Sequence, residues 1–391
     1  MTLNLDKSGW KRVAFGDVVK NLNFTVKDAN AAGIDRVIAM EHLDPGELKI
    51  SRWGSTKEGG TFTRRVEPGQ TLFGKRRAYQ RKAALAEFGA ITSGDILVFE
   101  ADDTQLLPEF LPFLVQSDGF YEHALGTSAG SLSPRTNWRD LATYQFHLPP
   151  LDEQKSLADL LWAVERHRRS LAEAMSSQAD TRSAWLHSLF AEAKAGGGLV
   201  ELDTLIEHDR PICYGVLKPG QEFDDGRLIV DVKDYPSGSI NVDEVRRCDP
   251  AIESQFKRSR LRAGDVLLSI RGTIGRVAVV PPELDGHNIS RDSARISGDQ
   301  TKVMPEFLRM VLESPDVQDE IRRTTTGLAV KGINVARIRA LRVPCWDLDR
   351  QKNAVRQLQV IEEAVTAVEE ALSALVGVRR SLLDEVFGGA L

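Results

Sequence analysis

The stretch QKNAVRQLQVIEEAVTAVEEALSALVGVRRSLLDEVF, residues 351–387, decides how the chain must fold. Its apolar residues recur at alternating steps of four and three, at Ala354, Leu358, Ile361, Val365, Val368, Leu372 and Leu375, and again at Leu382 and Val386. This spacing predicts a long amphipathic helix with a single heptad seam. At 1.5 Å per residue, about 40 residues make a rod of roughly 60 Å.

A second stretch carries the same pattern. From Leu157 onward, apolar residues recur at similar spacings, at Leu157, Leu161, Val164, Leu171, Met175, Trp185 and Leu189, and a shift of 197 positions lays this series on the later one. A seam of this kind has to be covered, and the simplest cover for each helix is the other helix. We therefore expect the two helices to pair. The alternative is two ordinary amphipathic helices, each lying on its own domain.

The rest of the chain repeats at the same offset. Leu107-Pro-Glu-Phe-Leu111 falls on Met304-Pro-Glu-Phe-Leu308, and Ser93-Gly-Asp95 falls on Ser290-Arg-Asp292. Asn137 falls on Asn334 and Gln154 on Gln351, whereas upstream the offset is 195. This period is too long for a solenoid, whose units span about 20 to 50 residues. The pattern indicates a tandem duplication of one domain with its helix.

Glycine and proline mark the boundaries of the duplicated parts. Gly196-Gly-Gly198 closes the first helix, because glycine suits a flexible exit from a helix. Leu148-Pro-Pro150 and Val343-Pro344 each precede a helix, where proline stops a strand. We predict a first domain over residues 1–150, a first helix over 151–195, a second domain over 196–345 and a second helix over 346–391.

Each domain combines strands and helices. Short apolar runs bounded by Gly, Asp or Pro predict buried strands in residues 94–99, 264–270 and 275–280. Residues 108–125 and 305–323 open with Pro-Glu and carry helical spacing. The fold class is therefore α+β: two pseudo-repeated domains joined by two long helices.

Composition limits the class of protein. The chain has 391 residues, a net charge of −5, and no apolar stretch of the roughly 18 residues that a membrane helix needs. No secretory leader is visible at the start, so we expect a cytoplasmic protein without a membrane partner. Cys213, Cys248 and Cys345 are scattered and odd in number, which favours reduced thiols over a disulfide framework or a zinc site.

Catalytic motifs are absent from the sequence. We find no GxxxxGK[ST] phosphate loop, HExxH, GxSxG, or Asn-Pro-Pro or Asp-Pro-Pro methyltransferase motif. Gly272-Thr-Ile-Gly275 is more typical of a tight turn between strands than of a phosphate site. We therefore expect no catalytic residue and no bound metal in this chain.

Local charge points to nucleic acid despite the negative total. Residues 57–82 hold eight basic residues against two acidic ones, a local net charge of +6. Lys and Arg neutralise phosphates, and Arg and Asn also read base edges with paired hydrogen bonds. The candidate DNA-binding residues are Lys75, Arg76, Arg77, Tyr79, Arg81, Lys82, Arg135, Asn137, Arg271, Arg276, Arg291, Arg295, Lys331 and Asn334.

Several of these residues lie in two matching polar segments, residues 126–137 and 324–334. Both are rich in small, turn-forming residues. Such loops can bring backbone N–H groups and hydroxyls close to phosphate, or they can simply link a helix to a strand. Likewise, any single arginine of the candidate set can be a solvated surface charge.

These motifs together resemble the specificity subunits of type I restriction-modification systems. The carriers are the duplicated plan, Gly264-Asp-Val-Leu267, the Pro-Glu-Phe-Leu helix starts, and Leu148-Pro-Pro-Leu-Asp-Glu-Gln-Lys155 at the entrance to a long helix. The resemblance covers nearly the whole chain. In the second half, Val343-Pro-Cys-Trp-Asp-Leu-Asp-Arg-Gln351 departs from the Pro-Pro-Leu-x-Glu-Gln form.

The resemblance implies that this chain recognises DNA and that separate partner subunits carry out the catalysis. Two target-recognition domains would each read one half of a split DNA site, and the two helices would form an antiparallel coiled coil that acts as a spacer. The helices would also dock two methyltransferase subunits, and the full complex would add translocating nuclease (restriction) subunits. S-adenosylmethionine, ATP and Mg would bind to those partners, and no cofactor would bind to this chain.

Two other functions fit parts of the sequence. A standalone DNA-binding nuclease would need a metal motif of Asp, Glu and Lys, and none is visible. A coiled-coil scaffold that joins proteins without touching DNA would tolerate neutralisation of the basic residues between Lys75 and Lys82.

Overall fold

The structure, a computed structural model, describes residues 3, 5–58, 61–218, 220–236, 238–325 and 332–388. The chain divides into two compact units. Unit 1 comprises Met1–Ala172 and Glu370–Leu391, and unit 2 comprises Glu173–Glu369. Each unit therefore holds one α+β domain together with one end of each long helix.

The domain of unit 1 is built on two four-stranded sheets. Its strands are β1 (Lys11–Ala14), β2 (Val19–Leu22), β3 (Arg36–Ile38), β4 (Gly54–Ser55), β5 (Arg64–Val66), β6 (Thr71–Gly74), β7 (Ala83–Leu85), β8 (Ala90–Thr92), β9 (Ile96–Ala101) and β10 (Gln145–Leu148). Its helices are α1 (Phe15–Val18), α2 (Leu111–Gln116), α3 (Asp118–Gly126) and α4 (Trp138–Leu141), followed by the long helix α5 (Leu151–Ala195). The sheet orders are β2-β9-β6-β7 and β4-β3-β8-β5, and β1 pairs with β10.

Unit 2 repeats this plan. Its strands are β11 (Leu199–Glu201), β12 (Cys213–Tyr214), β13 (Arg227–Val230), β14 (Arg247–Cys248), β15 (Val266–Ser269), β16 (Val277–Val279), β17 (Asn288–Ile289), β18 (Ser293–Ile296) and β19 (Arg342–Pro344). Its helices are α6 (Pro250–Glu253), α7 (Pro305–Glu313), α8 (Pro315–Thr324) and α9 (Val335–Arg339), followed by the long helix α10 (Leu348–Phe387). The order β12-β18-β15-β16 matches β2-β9-β6-β7, and the parallel pair β13–β17 matches β3–β8.

Apolar side chains from strands and helices fill a core in each unit. In unit 1, Phe15, Phe73, Phe99 and Phe120 are fully buried, with ring centroids 4.9–5.9 Å apart. In unit 2, Val266 and Leu268 of β15 pack with Phe307 and Val311 of α7. Burial of each such side chain contributes about 1.5–3 kcal/mol. Helix α7 thus packs against the face of the β15 sheet to which Val266 and Leu268 contribute.

The two long helices pair antiparallel within each unit. In unit 1, Glu165 of α5 lies 3.5 Å from Arg379 of α10, and Leu161 shares an apolar cluster with Leu382. In unit 2, Arg182 lies 3.4 Å from Glu362, and Glu192 lies 2.6 Å from Arg350. Numbers rise along one helix as they fall along the other. The fold class expected from the sequence, including the antiparallel helix pair, is confirmed.

A buried glutamine fastens the start of each long helix. In unit 1, the Gln154 side chain accepts from the Leu107 amide at 2.9 Å and donates to the carbonyls of Gln105 (2.8 Å) and Pro149 (2.9 Å). In unit 2, Gln351 accepts from Met304 at 2.8 Å and donates to Lys302 (2.7 Å) and Trp346 (2.8 Å). All four pairs of positions correspond at the offset of 197. Residues 343–351 depart from the Pro-Pro-Leu-x-Glu-Gln form, but the three hydrogen bonds of the glutamine side chain are retained.

The helical stretches after the Pro-Glu motifs differ from the sequence-based prediction in one respect. Each is two helices, broken at Ser117 and at Ser314, where the backbone becomes extended. The Ser314 hydroxyl caps the next helix by accepting from the Val317 amide, and Ser117 does the same for Phe120. A serine cap stabilises a new helix start, and periodicity alone does not show such a break.

Gly272 and Gly275 form the tight turn that links β15 to β16. Both adopt left-handed backbone angles, with φ of 67° and 95°. Residues with a Cβ adopt such angles at a cost, so glycine suits both positions. None of the helices within the described ranges combines the length and the apolar character needed to span a bilayer.

Candidate nucleic-acid interface

The basic segment of unit 1, residues 75–82, leaves the end of β6 and is held in a fixed shape. Arg77 and Arg81 both adopt left-handed backbone angles, with φ of 55° and 52°, on either side of a short 3-10 turn at Ala78–Gln80. Such angles cost free energy in residues other than glycine. The surrounding hydrogen bonds must therefore maintain them. Arg77 is bonded to the polar loop of residues 126–137, whereas the Arg81 amide donates to the Ala78 carbonyl at 2.9 Å and the Arg81 carbonyl accepts from the Gly46 amide at 3.0 Å.

Backbone hydrogen bonds join the basic segment to that polar loop. The Arg77 amide donates to the Pro134 carbonyl at 2.8 Å, and the Thr136 amide donates to the Lys75 carbonyl at 2.9 Å. Arg76 and Arg135 form an isolated antiparallel bridge, and Arg76 Nε donates to Ser133 Oγ at 2.6 Å. Two segments that lie about 55 residues apart in sequence therefore form one surface, which we call surface 1.

Surface 1 presents some candidate side chains to solvent and uses others to hold the fold. Arg77, Tyr79, Arg135 and Asn137 are exposed, and Tyr79 is 56% exposed. An exposed aromatic ring among arginines is suited to contact with a nucleotide base. Burial lowers the pKa of the half-buried Lys75 ammonium, and the charges of Arg64 and Arg135 lower it further, against the opposing effect of Asp95.

Arg81 and Lys82 are engaged with their own unit. The Arg81 guanidinium donates to the Gln116 carbonyl at 2.9 Å and lies 4.6 Å from the Tyr121 ring centroid. The Lys82 ammonium donates to the Met40 carbonyl at 2.7 Å. Both side chains thus tie the segment to the domain, although each remains partly accessible.

Unit 2 contains the same backbone arrangement between residues 270–271 and 332–333, and we call the surface around these residues surface 2. Arg271 forms an isolated antiparallel bridge with Gly332, as Arg76 does with Arg135. The Ile333 amide donates to the Ile270 carbonyl at 3.2 Å, as Thr136 does to Lys75. These pairs correspond at the offsets of 195 and 197. The duplication thus extends to the geometry of the candidate site.

An open groove of about 630 Å³ crosses surface 2. Arg271 and Arg291 line it and are exposed. Tyr214, 50% exposed, and Asn334 lie in the same groove. The Asn334 side chain caps α9 by accepting from the Arg337 amide at 3.0 Å, so its oxygen is occupied while its amide group can donate. The groove therefore offers cationic, aromatic and amide groups together.

A carboxylate stands among the arginines in each surface. Asp95 lies 3.6 Å from Arg76 and 3.5 Å from Arg135, and Asp292 lies 3.9 Å from Arg271 and 3.7 Å from Arg291. The sequence-based candidate set missed both aspartates, although they occupy the same place in the repeated Ser93-Gly-Asp95 and Ser290-Arg-Asp292 motifs. That repetition was the available signal.

Known proteins share this architecture. No protein-family model matches the chain. Over 194 residues it is 31% identical to the Type I restriction enzyme EcoBI specificity subunit of Escherichia coli, which covers 49% of this chain and 41% of that protein. The chain thus matches less than half of that relative's length.

Solved structures match over the full length. A chain from a structure of a type I R-M system has a TM-score of 0.59 at 20% identity and covers 98% of this chain and 99% of its own. The S subunit of a type I restriction-modification system from M. genitalium has a TM-score of 0.61 at 13% identity and covers 100% of both chains. The chain has the fold of type I specificity subunits. The resemblance expected from the repeated motifs and the helix pair is confirmed.

Within this type I specificity fold, Arg295 is a correction to the candidate set. It is 2% exposed, and its guanidinium donates to the carbonyls of Arg258 (2.9 Å), Arg260 (3.2 Å) and Pro211 (3.1 Å). A ligand on the surface cannot reach it without local unfolding. Arg295 therefore holds loops together in the domain.

Arg276 and Lys331 are the remaining candidates in unit 2. Arg276 is half-buried and donates to the Val232 carbonyl at 3.0 Å, so it is partly committed to the domain. Lys331 lies outside the described residues. Within the described part of the type I specificity fold, no three His, Cys, Asp or Glu side chains are grouped as a metal site requires.

Proposed function

We propose that this chain is the DNA sequence-specificity subunit of a type I restriction-modification complex. It reads a bipartite DNA site, docks two adenine methyltransferase subunits, and serves translocating restriction subunits. S-adenosylmethionine, ATP and Mg bind to those partners, and this chain carries no catalytic group of its own. The duplicated arrangement of surfaces 1 and 2 is the observation that carries the proposal.

The chemistry of the two surfaces favours DNA over other partners. Each combines exposed arginines, an exposed tyrosine and an asparagine at the start of a short helix. Arginines neutralise phosphates and read guanine edges. The Asn137 side chain makes no capping hydrogen bond and can pair with adenine through both its oxygen and its amide group, whereas Asn334 offers its amide group as a donor. Because one such surface occurs in each unit, the natural ligand is a site with two separately read halves.

Methylome sequencing of the host with and without this chain tests the proposal. The chain should generate a split adenine-methylation motif that disappears on its deletion. Arg77→Ala should weaken methylation at every copy of that motif, whereas the exposed Lys20→Ala on β2 should not. Methylation that is unchanged on deletion would refute the proposal.

Fluorescence anisotropy with the reconstituted methyltransferase complex separates the rival functions. A specificity subunit should prefer a duplex with the motif identified by methylome sequencing over a scrambled duplex, and this binding should weaken as the salt concentration rises. A scaffold without DNA contacts would give no such preference. Metal-dependent cleavage by the purified chain would instead favour a nuclease.

A further inference from the structure

Asp95 and Asp292 occupy equivalent places at the centre of the two surfaces. Each carboxylate is paired with two exposed or half-exposed arginines, and each is itself partly accessible, at 26% for Asp95 and 37% for Asp292. A carboxylate is an unexpected group on a surface that binds a polyanion, because it repels phosphate. Its presence at the same position in both units calls for a physical explanation.

The folding of the loops depends on the backbone of these residues. The Asp95 carbonyl accepts from the Lys75 amide at 3.0 Å, and the Asp292 carbonyl accepts from the Ile270 amide at 2.8 Å. Their side chains do not take part in these bonds. A change of the carboxyl group to an amide should therefore leave the loops folded, and the side chain is available for another role.

The ion pairs are too long for the carboxylates to occupy the arginine donors, although Arg76 Nε donates to Ser133 Oγ. The four separations of 3.5–3.9 Å exceed the usual 2.7–3.2 Å of an N–H···O hydrogen bond. Each carboxylate thus attracts two guanidinium groups and limits their range without occupying their five donors. Two unrestrained arginines would repel each other and move freely to the nearest phosphates.

The second arginine has a different origin in each unit. Arg135 comes from the polar loop, and its counterpart in unit 2 is Gly332. Arg291 follows β17, and its counterpart in unit 1 is Gly94. The two equivalent aspartates therefore each pair with two arginines, but the second arginine comes from a different segment in each unit. Two such pairs would present different donor patterns to the two halves of a site.

We infer that Asp95 and Asp292 are specificity-determining positioning residues, each of which restrains a pair of arginines for base contacts and disfavours binding to phosphate alone. This inference rests on the proposed function and deepens it. As a consequence, each carboxylate lowers the affinity for any duplex and raises the preference for the correct sequence over a scrambled one in its own half-site.

The test uses the complex reconstituted with its methyltransferase subunits and the motif found by methylome sequencing. Anisotropy measures affinity for the full motif, for a duplex with one half scrambled, for one with the other half scrambled, and for random DNA. The variants are Asp95→Asn and Asp292→Asn, with the exposed Asp103→Asn and Asp243→Asn as controls. Arg76→Lys and Arg271→Lys keep the charge and remove the planar fork.

We expect opposite changes in the aspartate variants. Affinity for random DNA should rise by about twofold at low salt, because a negative charge is removed. Discrimination should fall by about fivefold to a hundredfold, the range expected for loss of one paired base contact. Asp95→Asn should affect one half-site and Asp292→Asn the other. The lysine variants should lose discrimination without gaining affinity for random DNA.

The outcomes separate this inference from the proposed function. If the wild-type complex discriminates and the aspartate variants discriminate equally well, the inference is wrong and the proposed function stands. A loss of affinity for all duplexes alike would show a purely structural role and would also overturn the inference. A wild-type complex without any motif would overturn the proposed function itself.

Discussion

Replacement of Gln351 by alanine should destabilise unit 2 by about 3 kcal/mol, since its side chain makes three hydrogen bonds at a net worth of about 1 kcal/mol each. Gln351 is 1% exposed, so water cannot replace the lost partners easily. The Met304 amide and the Lys302 and Trp346 carbonyls would lose their side-chain partner. For a unit of this size the loss corresponds to a fall of about 6–12 °C in its melting temperature.

Hydrogen exchange in increasing denaturant is the suitable assay, because two units need not unfold in one step. Peptides covering residues 302–312 and 346–358 should lose protection at a lower denaturant concentration in the Gln351→Ala chain. The exposed Gln359→Ala, on the same helix, is the matched control and should change stability by less than about 0.5 kcal/mol. If Gln351→Ala cost no more than this control, the proposed fastening of α10 by hydrogen bonds would be wrong.

Three other outcomes follow from contacts of named side chains. Arg77→Ala should reduce the slope of log K for DNA binding against log salt by nearly one unit. Arg81→Ala should change this slope less and should mainly lower the stability of unit 1, because Arg81 is bonded to Gln116 and packs on Tyr121. Equal slopes for the two variants in anisotropy titrations would contradict this. Glu165→Gln should cost about 3 kcal/mol or more by hydrogen exchange, because the buried Glu165 carboxylate pairs with Arg168 and Arg379, and the exposed Glu370→Gln should cost little. Burial lowers the pKa of His287 below its usual 6.5, and the neutral ring accepts from the Leu228 amide at 3.1 Å. The stability due to the neutral ring is therefore complete above pH 6.5 and is lost as the pH falls through the lowered pKa, so protection of the Leu228 amide should decrease from pH 7.5 to 5.5 in wild type but not in His287→Gln.

The long helices and the duplication could be predicted because their signals are local or regular. The apolar steps of residues 354–386 depend only on the geometry of one helix, and the offset of 197 places Gln154 on Gln351 without knowledge of any contact. The short apolar runs of β9, β15 and β16 are also local. These features are sufficient to predict the fold class.

The candidate interface was harder to predict because it depends on contacts between distant segments. The pairing of residue 76 with residue 135 is a backbone contact, and no periodicity reports it. Arg295 was misassigned for a related reason: all four residues of β18 are buried, so both faces of the strand are covered and even its arginine is inaccessible. Its sequence context, Ser-Ala-Arg-Ile, is equally compatible with a strand that has one solvent-exposed face.

The antiparallel helix pair also brings early and late parts of the chain together within unit 1. The Lys7 ammonium donates to the carbonyls of Val386 at 3.2 Å and Gly388 at 3.0 Å. A circular permutant, with a short linker between these two segments and new termini at the glycine turn of residues 196–198, would keep the pairings within each unit. The order in which the two domains are synthesised would then be reversed, although each unit would retain its own share of both helices.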